Sequence, residues 1–134
     1  MGYLGGVNCS LLCAYAAMLY PNASASVILH NCFRIFSEWE WPKPLVLVDV
    51  FKKPSLGQDA NVWTVEGNPK DLFPILTPCY PSQNSCYTVM ESTREIMTEE
   101  FKRARDITRE VLAGKEVYFI ISRSWSLLRV FTLQ

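Results

Sequence analysis

From Val7 onward the apolar residues Leu11, Tyr15, Met18 and Leu19 recur at helical spacing, which predicts a first helix opened by Gly5-Gly6 and closed by Pro21. A second helix follows. Asn22, Ser24 and Ser26 offer N-caps to it, Ile28, Cys32, Ile35 and Trp39 form one stripe, and Leu29, Phe33 and Phe36 widen that stripe. So wide an arc implies burial on most sides. Trp41-Pro42-Lys43-Pro44 ends the helix, because each proline lacks an N–H and pushes its predecessor toward extended geometry. Trp39 and Trp41 then fall at the seam with the next element.

Leu45-Val46-Leu47-Val48-Asp49-Val50 is a β-branched run bounded by breakers and predicts a short strand. Residues 52–70 read as loop, with Asn61 to Val65 as a possible second strand. Three prolines punctuate Phe73-Pro74-Ile75-Leu76-Thr77-Pro78-Cys79-Tyr80-Pro81, so this stretch is expected to run extended over a surface. The last clear element is a long helix that starts between Asn84 and Ser92 and stops at Gly114, a residue suited to a left-handed C-cap. Met97, Phe101, Ala104, Ile107 and Val111 make its buried stripe, Glu99 and Arg103 pair at i,i+4, and Lys102, Arg103, Arg105 and Arg109 form a basic outer flank. Such a flank is either a solvated face or a partner surface. After Gly114 the texture turns β-prone and nearly uncharged. The pattern gives a mainly α fold class: a small helical domain with a few short strands or extended segments, and a separate tail over 115–134.

At 134 residues, 49% of them apolar, the chain is long enough for one domain with one core. Thirteen Lys+Arg balance 13 Asp+Glu, so no long-range field draws the chain to a phosphate backbone. No stretch reaches the roughly 18 uninterrupted apolar residues of a membrane span, and no membrane partner is expected. Val7 to Leu19 followed by Ala23-Ser24-Ala25 has the outline of a signal peptide but lacks its positive n-region, and no targeting signal is read. Five cysteines, an odd number, fit a reducing compartment better than a disulfide framework. Cys9 and Cys13 lie one helical turn apart with only His30 as an imidazole to join them, which favours small buried thiols over a zinc site.

Candidate chemistry is sparse. His30 sits inside the apolar arc of the second helix, with no Gly-x-Ser-x-Gly elbow to serve. Asp49, Asp59, Asp71 and Asp106 are scattered, and Glu38 and Glu40 at i,i+2 diverge on a helix, so no paired carboxylates for a two-metal site are read. No catalytic residue and no metal ligand is therefore assigned. The one feature with chemical content is Gly2-Tyr3-Leu4-Gly5-Gly6-Val7, a glycine-rich turn entering a helix. It offers backbone approach and unpaired N–H groups to an anion or a base edge, or it serves only close packing of the helix start.

Three long strings carry a resemblance. They are Gly2-Tyr3-Leu4-Gly5-Gly6-Val7 followed by Leu19-Tyr20-Pro21-Asn22-Ala23; Phe36-Ser37-Glu38-Trp39-Glu40-Trp41-Pro42-Lys43-Pro44; and Ile75 to Ser85 through Thr77-Pro78-Cys79-Tyr80-Pro81. In order and spacing they resemble the central domain of eukaryotic poly(A) polymerases, over roughly residues 1–113. The resemblance implies a mostly helical part of a nucleotidyltransferase that adds adenylate from ATP to the 3′ end of mRNA with Mg²⁺ or Mn²⁺. It implies a nuclear protein that works with the other domains of the enzyme, the RNA 3′ end and the cleavage and polyadenylation machinery. Gly6 and Val7 match the positions that contact the incoming ATP. The family's metal-binding aspartates lie in an N-terminal catalytic domain and its RNA-binding domain follows the central one; neither has a counterpart in these residues, so the chain is expected to be inactive alone.

The chain departs from the family pattern at three places. Cys9 stands where a tryptophan is usual. The stretch Asn68 to Pro74 is shorter than the family's and lacks its Arg-Tyr-His, and the residues beyond Gly114 no longer follow the pattern. An altered reading frame, a retained intron or the end of a gene model is the expected origin of 115–134. Two other classes stay open on sequence grounds: a catalytically inactive interaction module derived from the family, and a small secreted or lumenal glycoprotein, which would need cleavage near Ala25 and oxidised cysteines.

Overall fold

The computed structural model describes residues 2–47 and 62–114, and the fold is mainly α as the pattern predicts. Three helices make it: α1 (Gly6–Leu19), α2 (Ala25–Ser37) and α3 (Glu91–Leu112). α2 packs against both of the others. The second half of the expected strand from Leu45 to Val50, the Asn61 end of the second strand and the tail over 115–134 lie outside the described residues.

Each helix ends for a local chemical reason. The ladder of α1 closes where Tyr20 N–H donates to Ala16 O, and Pro21 has no N–H with which to extend it. α2 stops at Ser37, short of the Trp-Pro string; the Ser37 hydroxyl donates to the Arg34 carbonyl at 2.8 Å, and Trp39 lies beyond the last turn rather than within it. α3 starts where the Thr93 hydroxyl accepts from Met90 N–H at 3.0 Å. It ends in Gly114 at φ +76°, whose N–H donates to Val111 O, as the glycine foretells.

The core forms where α1 and α3 each pack against α2. From α3 it takes Thr93, Met97, Phe101 and Ala104, with Ile107 and Val111 only partly covered. α2 supplies Cys32 and Phe36, flanked by Ile28, Phe33 and Ile35. On α1 the buried line is Asn8, Leu12 and Ala16, one position round from the expected stripe; Leu11 and Tyr15 pack at its edge, while Val7, Met18 and Leu19 stand 67%, 59% and 52% exposed. Apolar residues surround α1 on nearly every side, so periodicity had no face to choose, and the partners of Asn8 decide the rotation.

Phe36 is fully buried at the centre of an aromatic cluster. Its ring centroid lies 6.1 Å from Tyr15, 5.5 Å from Trp39, 6.4 Å from Trp41 and 6.3 Å from Phe101. Trp41 in turn stacks on Phe73 at 3.6 Å. Trp39 is half-buried: its indole N–H donates to the Lys43 carbonyl at 2.9 Å, and the Lys43 ammonium sits 5.3 Å above its ring.

The segment between α2 and α3 is irregular but not superficial. Phe73, Pro74, Ile75 and Leu76 are buried, contrary to the expected surface course, and within the stretch 73–81 the exposed residues are Pro78 to Pro81. Leu45 N–H donates to Pro74 O and Leu76 N–H to Leu45 O, giving a single parallel bridge between Leu45 and Ile75. An antiparallel bridge pairs Leu76 with Asn84. No ladder grows from either, since Pro74 and Pro78 have no donor for it.

The charged residues of α3 pair at i,i+3 rather than i,i+4. Lys102 meets Glu99 at 2.8 Å, Arg103 meets Glu100 at 2.9 Å and Arg109 meets Asp106 at 2.6 Å; Arg105 joins Asp106 and reaches Glu38 of the α2 end at 3.8 Å. Inside this girdle His30 Nδ1 lies 2.8 Å from the Thr108 hydroxyl, whose own contacts to Ala104 O and Arg105 O use its single proton. Nδ1 then carries the hydrogen. Desolvation, aided by Arg109, Arg34 and Arg105, pulls the His30 pKa below its ordinary value.

Two measurements test these assignments. Phe36→Ala is expected to cost about 3–5 kcal/mol in urea unfolding, against less than ~1 kcal/mol for the exposed Leu29→Ala. Because the His30 pKa is lower folded than unfolded, the unfolded chain binds more protons between the two values, so this group's stability is present above pH ~6.5 and is lost as pH falls through the folded value. The urea midpoint should therefore drop from pH 7.5 to 5.5, and drop less in His30→Gln.

Candidate functional site

The glycine-rich turn leads straight into α1, and its glycines do different work. Gly2 is buried at φ +128°, and a Cβ there would lie 2.9 Å from the Thr88 carbonyl oxygen and 3.4 Å from the Thr93 hydroxyl. Neither the backbone angle nor the space admits a side chain. Leu4 anchors the turn in the core. Gly5 is the N-cap, extended at φ −81° and ψ 168°, and has no side chain with which to cap. Gly6 opens outward, with nothing within 4 Å of where a Cβ would stand, and Val7 beside it is exposed. Gly6 and Val7 are thus brought together on the first turn, where N–H groups have no intrahelical acceptor and the helix dipole is positive. No acidic side chain in that turn competes for them.

Polar groups outside the helix hold this turn in place, and sequence reasoning missed them. Asn8 is buried; its amide donates to Ser85 O, and its carbonyl oxygen accepts from the Ser85 hydroxyl. The same hydroxyl lies 2.9 Å from Ile75 O, and Ser85 N–H also donates to that carbonyl. Next to it the Asn84 side-chain oxygen accepts from Ile75 N–H at 3.1 Å and Cys86 N–H at 2.8 Å. Its amide nitrogen donates to Asp71 at 2.8 Å, and Trp63 donates its indole N–H to the same carboxylate oxygen at 2.7 Å. This chain of bonds satisfies buried backbone donors that the proline-rich segment cannot pair in a sheet. The one available signal was the density of prolines beside Asn84-Ser85, a stretch whose donors need side-chain acceptors.

The other candidates are placed elsewhere. Asp71 is committed to Trp63 and Asn84, Asp106 is held below the usual carboxylate range by its hydrogen bond from Arg105, and Asp49 and Asp59 lie outside the described residues. Among the described residues no group of three or more His, Cys, Asp or Glu side chains is arranged to hold a metal ion. All five cysteines are free thiols; Cys86 is buried and pushed up to about 12, and burial also raises Cys9. No helix among the described residues is long and apolar enough to cross a membrane.

The helical fold and its glycine-led first helix agree with a recorded family. Residues 1–125 match the family described as the poly(A) polymerase central domain, and the chain belongs to it. The match continues beyond Gly114, the point at which the motif-by-motif likeness ends. A poly(A) polymerase of Dictyostelium discoideum is 41% identical over 115 residues, and nuclear poly(A) polymerase 4 of Arabidopsis thaliana is 41% identical over 118. Each alignment covers 86% of this chain but only 14% and 16% of the respective relative, so the chain spans about a sixth or less of their length.

The division of labour between the glycines is open to a direct test. Gly2→Ala should destabilise the domain by about 1–3 kcal/mol through backbone strain and the Thr88 contact. Gly6→Ala should leave urea stability unchanged or raise it by a few tenths, roughly, of a kcal/mol, because alanine favours helix and meets nothing. Equal losses from both would mean that Gly6 is also a packing residue.

Proposed function

We propose that this chain is the central-domain part of a poly(A) polymerase and that the first turn of α1, at Gly6 and Val7, contacts the ATP used for adenylate addition to the 3′ end of mRNA. The observation that carries the reading is the open face at Gly6: the turn is pinned at Gly2, Leu4 and Asn8, yet bare where a ligand would meet it. Backbone N–H groups at Gly6 and Val7 would donate to acceptors on the nucleotide, and the missing Cβ lets a planar base or a phosphate approach within hydrogen-bond range. The exposed Val7 side chain supplies an apolar surface for the ligand's flank.

The described residues do not fit a metal, since no three His, Cys, Asp or Glu side chains among them come together to hold one. Mg²⁺ or Mn²⁺ would be held by aspartates of the family's catalytic domain. The RNA 3′ end, the enzyme's other domains and the cleavage and polyadenylation machinery are the partners of this reading, and the nucleus is its location, in line with the word nuclear in the Arabidopsis relative's name. We take 1–114 as the central-domain portion and 115–134 as a distinct tail; α3 ends at Leu112 with Gly114 as its stop.

The chain alone is expected to extend no oligo(A) primer with ATP and either metal. Joined to a family catalytic domain it should become active, and Gly6→Val in that chimera should raise KM for ATP about tenfold, or ~1.4 kcal/mol, with the fold intact by urea unfolding. Unchanged kinetics in a folded variant would return the turn to packing alone.

A further inference from the structure

Cys13 and Cys32 come from different helices and meet at one edge of the core. Cys13 is exposed on α1, Cys32 is buried on α2, and their sulfurs lie 3.9 Å apart in a thiol hydrogen bond. Beside them opens an apolar cleft of about 230 Å³, walled by Leu12, Leu29, Phe33 and Phe101. We propose that these two thiols are a modification site, at which a hydroperoxide oxidises Cys13 and Cys32 resolves the product into a disulfide that ties α1 to α2.

Three features support this pairing. Accessibility is divided between the two thiols, so that an oxidant in solution meets Cys13 first while Cys32 is shielded and waits within reach. The hydrogen bond between the two sulfurs lowers the pKa of the exposed Cys13 and, with burial, raises that of Cys32, which favours Cys13 as the sulfur that reacts first. The sulfurs need close only from 3.9 Å to about 2.05 Å, and both thiols line the same apolar cleft. The remaining cysteines are poorer partners. Cys9 shares a helix with Cys13 and is raised by burial, Cys86 is buried and raised further, and Cys79 lies on the exposed proline-rich stretch.

The chemistry balances with the peroxide as oxidant. The Cys13 thiolate attacks the terminal peroxide oxygen, the O–O bond breaks, the departing alkoxide or hydroxide takes up a proton, and Cys13 becomes a sulfenic acid. Cys32 then attacks the Cys13 sulfur, the S–O bond breaks, and hydroxide leaves with the proton of the Cys32 thiol as water. The thiol pair loses two hydrogens in all, and the peroxide is reduced to an alcohol or water and one further water. A dithiol such as dithiothreitol reverses the product by exchange.

The test treats the full chain with hydrogen peroxide, blocks remaining thiols by alkylation and maps the peptides by mass. The expected result is a peptide pair joined through Cys13 and Cys32, lighter by two hydrogens and separated by dithiothreitol, in a chain still monomeric on a non-reducing gel. The oxidised chain should unfold at a higher temperature than the reduced one. Cys9→Ser should leave the cross-link unchanged, and Cys32→Ala should replace it with a sulfenic acid at Cys13 that dimedone traps. Wild-type chain in which Cys13 is trapped by dimedone or over-oxidised without a cross-link would overturn the proposal, as would a dominant link to Cys9, to Cys79 or between chains.

Discussion

The benzyl side chain of Phe36 is the point at which separate parts of the sequence become one body. It has no accessible surface, and its ring meets Tyr15 from α1, Phe101 from α3, and Trp39 and Trp41 from the turn after its own helix. Trp41 then passes the packing on to Phe73, which draws the irregular segment over the helices. None of these rings could be buried by its own element, because helices of 14 and 13 residues have too little surface to shield a face alone. Burial on this scale is what orders a segment that has almost no regular secondary structure of its own.

A second constraint acts on hydrogen bonds. Bringing Phe73 to Leu76 inside removes several peptide groups from water in a stretch where two neighbouring prolines forbid a ladder. Asn84 answers by accepting two backbone N–H groups with one oxygen, and Asp71 fixes the Asn84 amide from the other side. Ser85 links the same stretch to Asn8 on the first turn of α1. The aromatic cluster and this polar chain both hold the irregular segment, and through Asn8 the polar chain also fixes the start of α1.

Much of the helical frame was legible in the residues themselves. Pro21 and Gly114 mark ends that are set by local backbone chemistry, and the charged outer face of α3 leaves its apolar stripe plain. The rotation of α1 was not legible, because a helix apolar on most sides takes its orientation from a distant partner, here Ser85. The burial of Phe73 to Leu76 was hidden for the opposite reason: prolines look like surface loop unless the side chains that satisfy their neighbours are known. Leu45 reads as the head of a strand but makes one bridge only, since Pro74 and Pro78 withhold the donors a ladder needs. At the candidate site, the sequence presents the glycines as one motif, and only the atoms around each position separate them.

That separation bears on how the turn can change over generations. Gly2 is tied to the fold by a backbone angle and a carbonyl neighbour, so a change there weakens the domain whatever the domain is used for. Folding makes no such demand on Gly6. Substitutions there are invisible to selection for stability and become visible only through what the turn touches, so a lineage that abandoned the ligand would be free to drift at Gly6 while its neighbour four positions back stayed fixed.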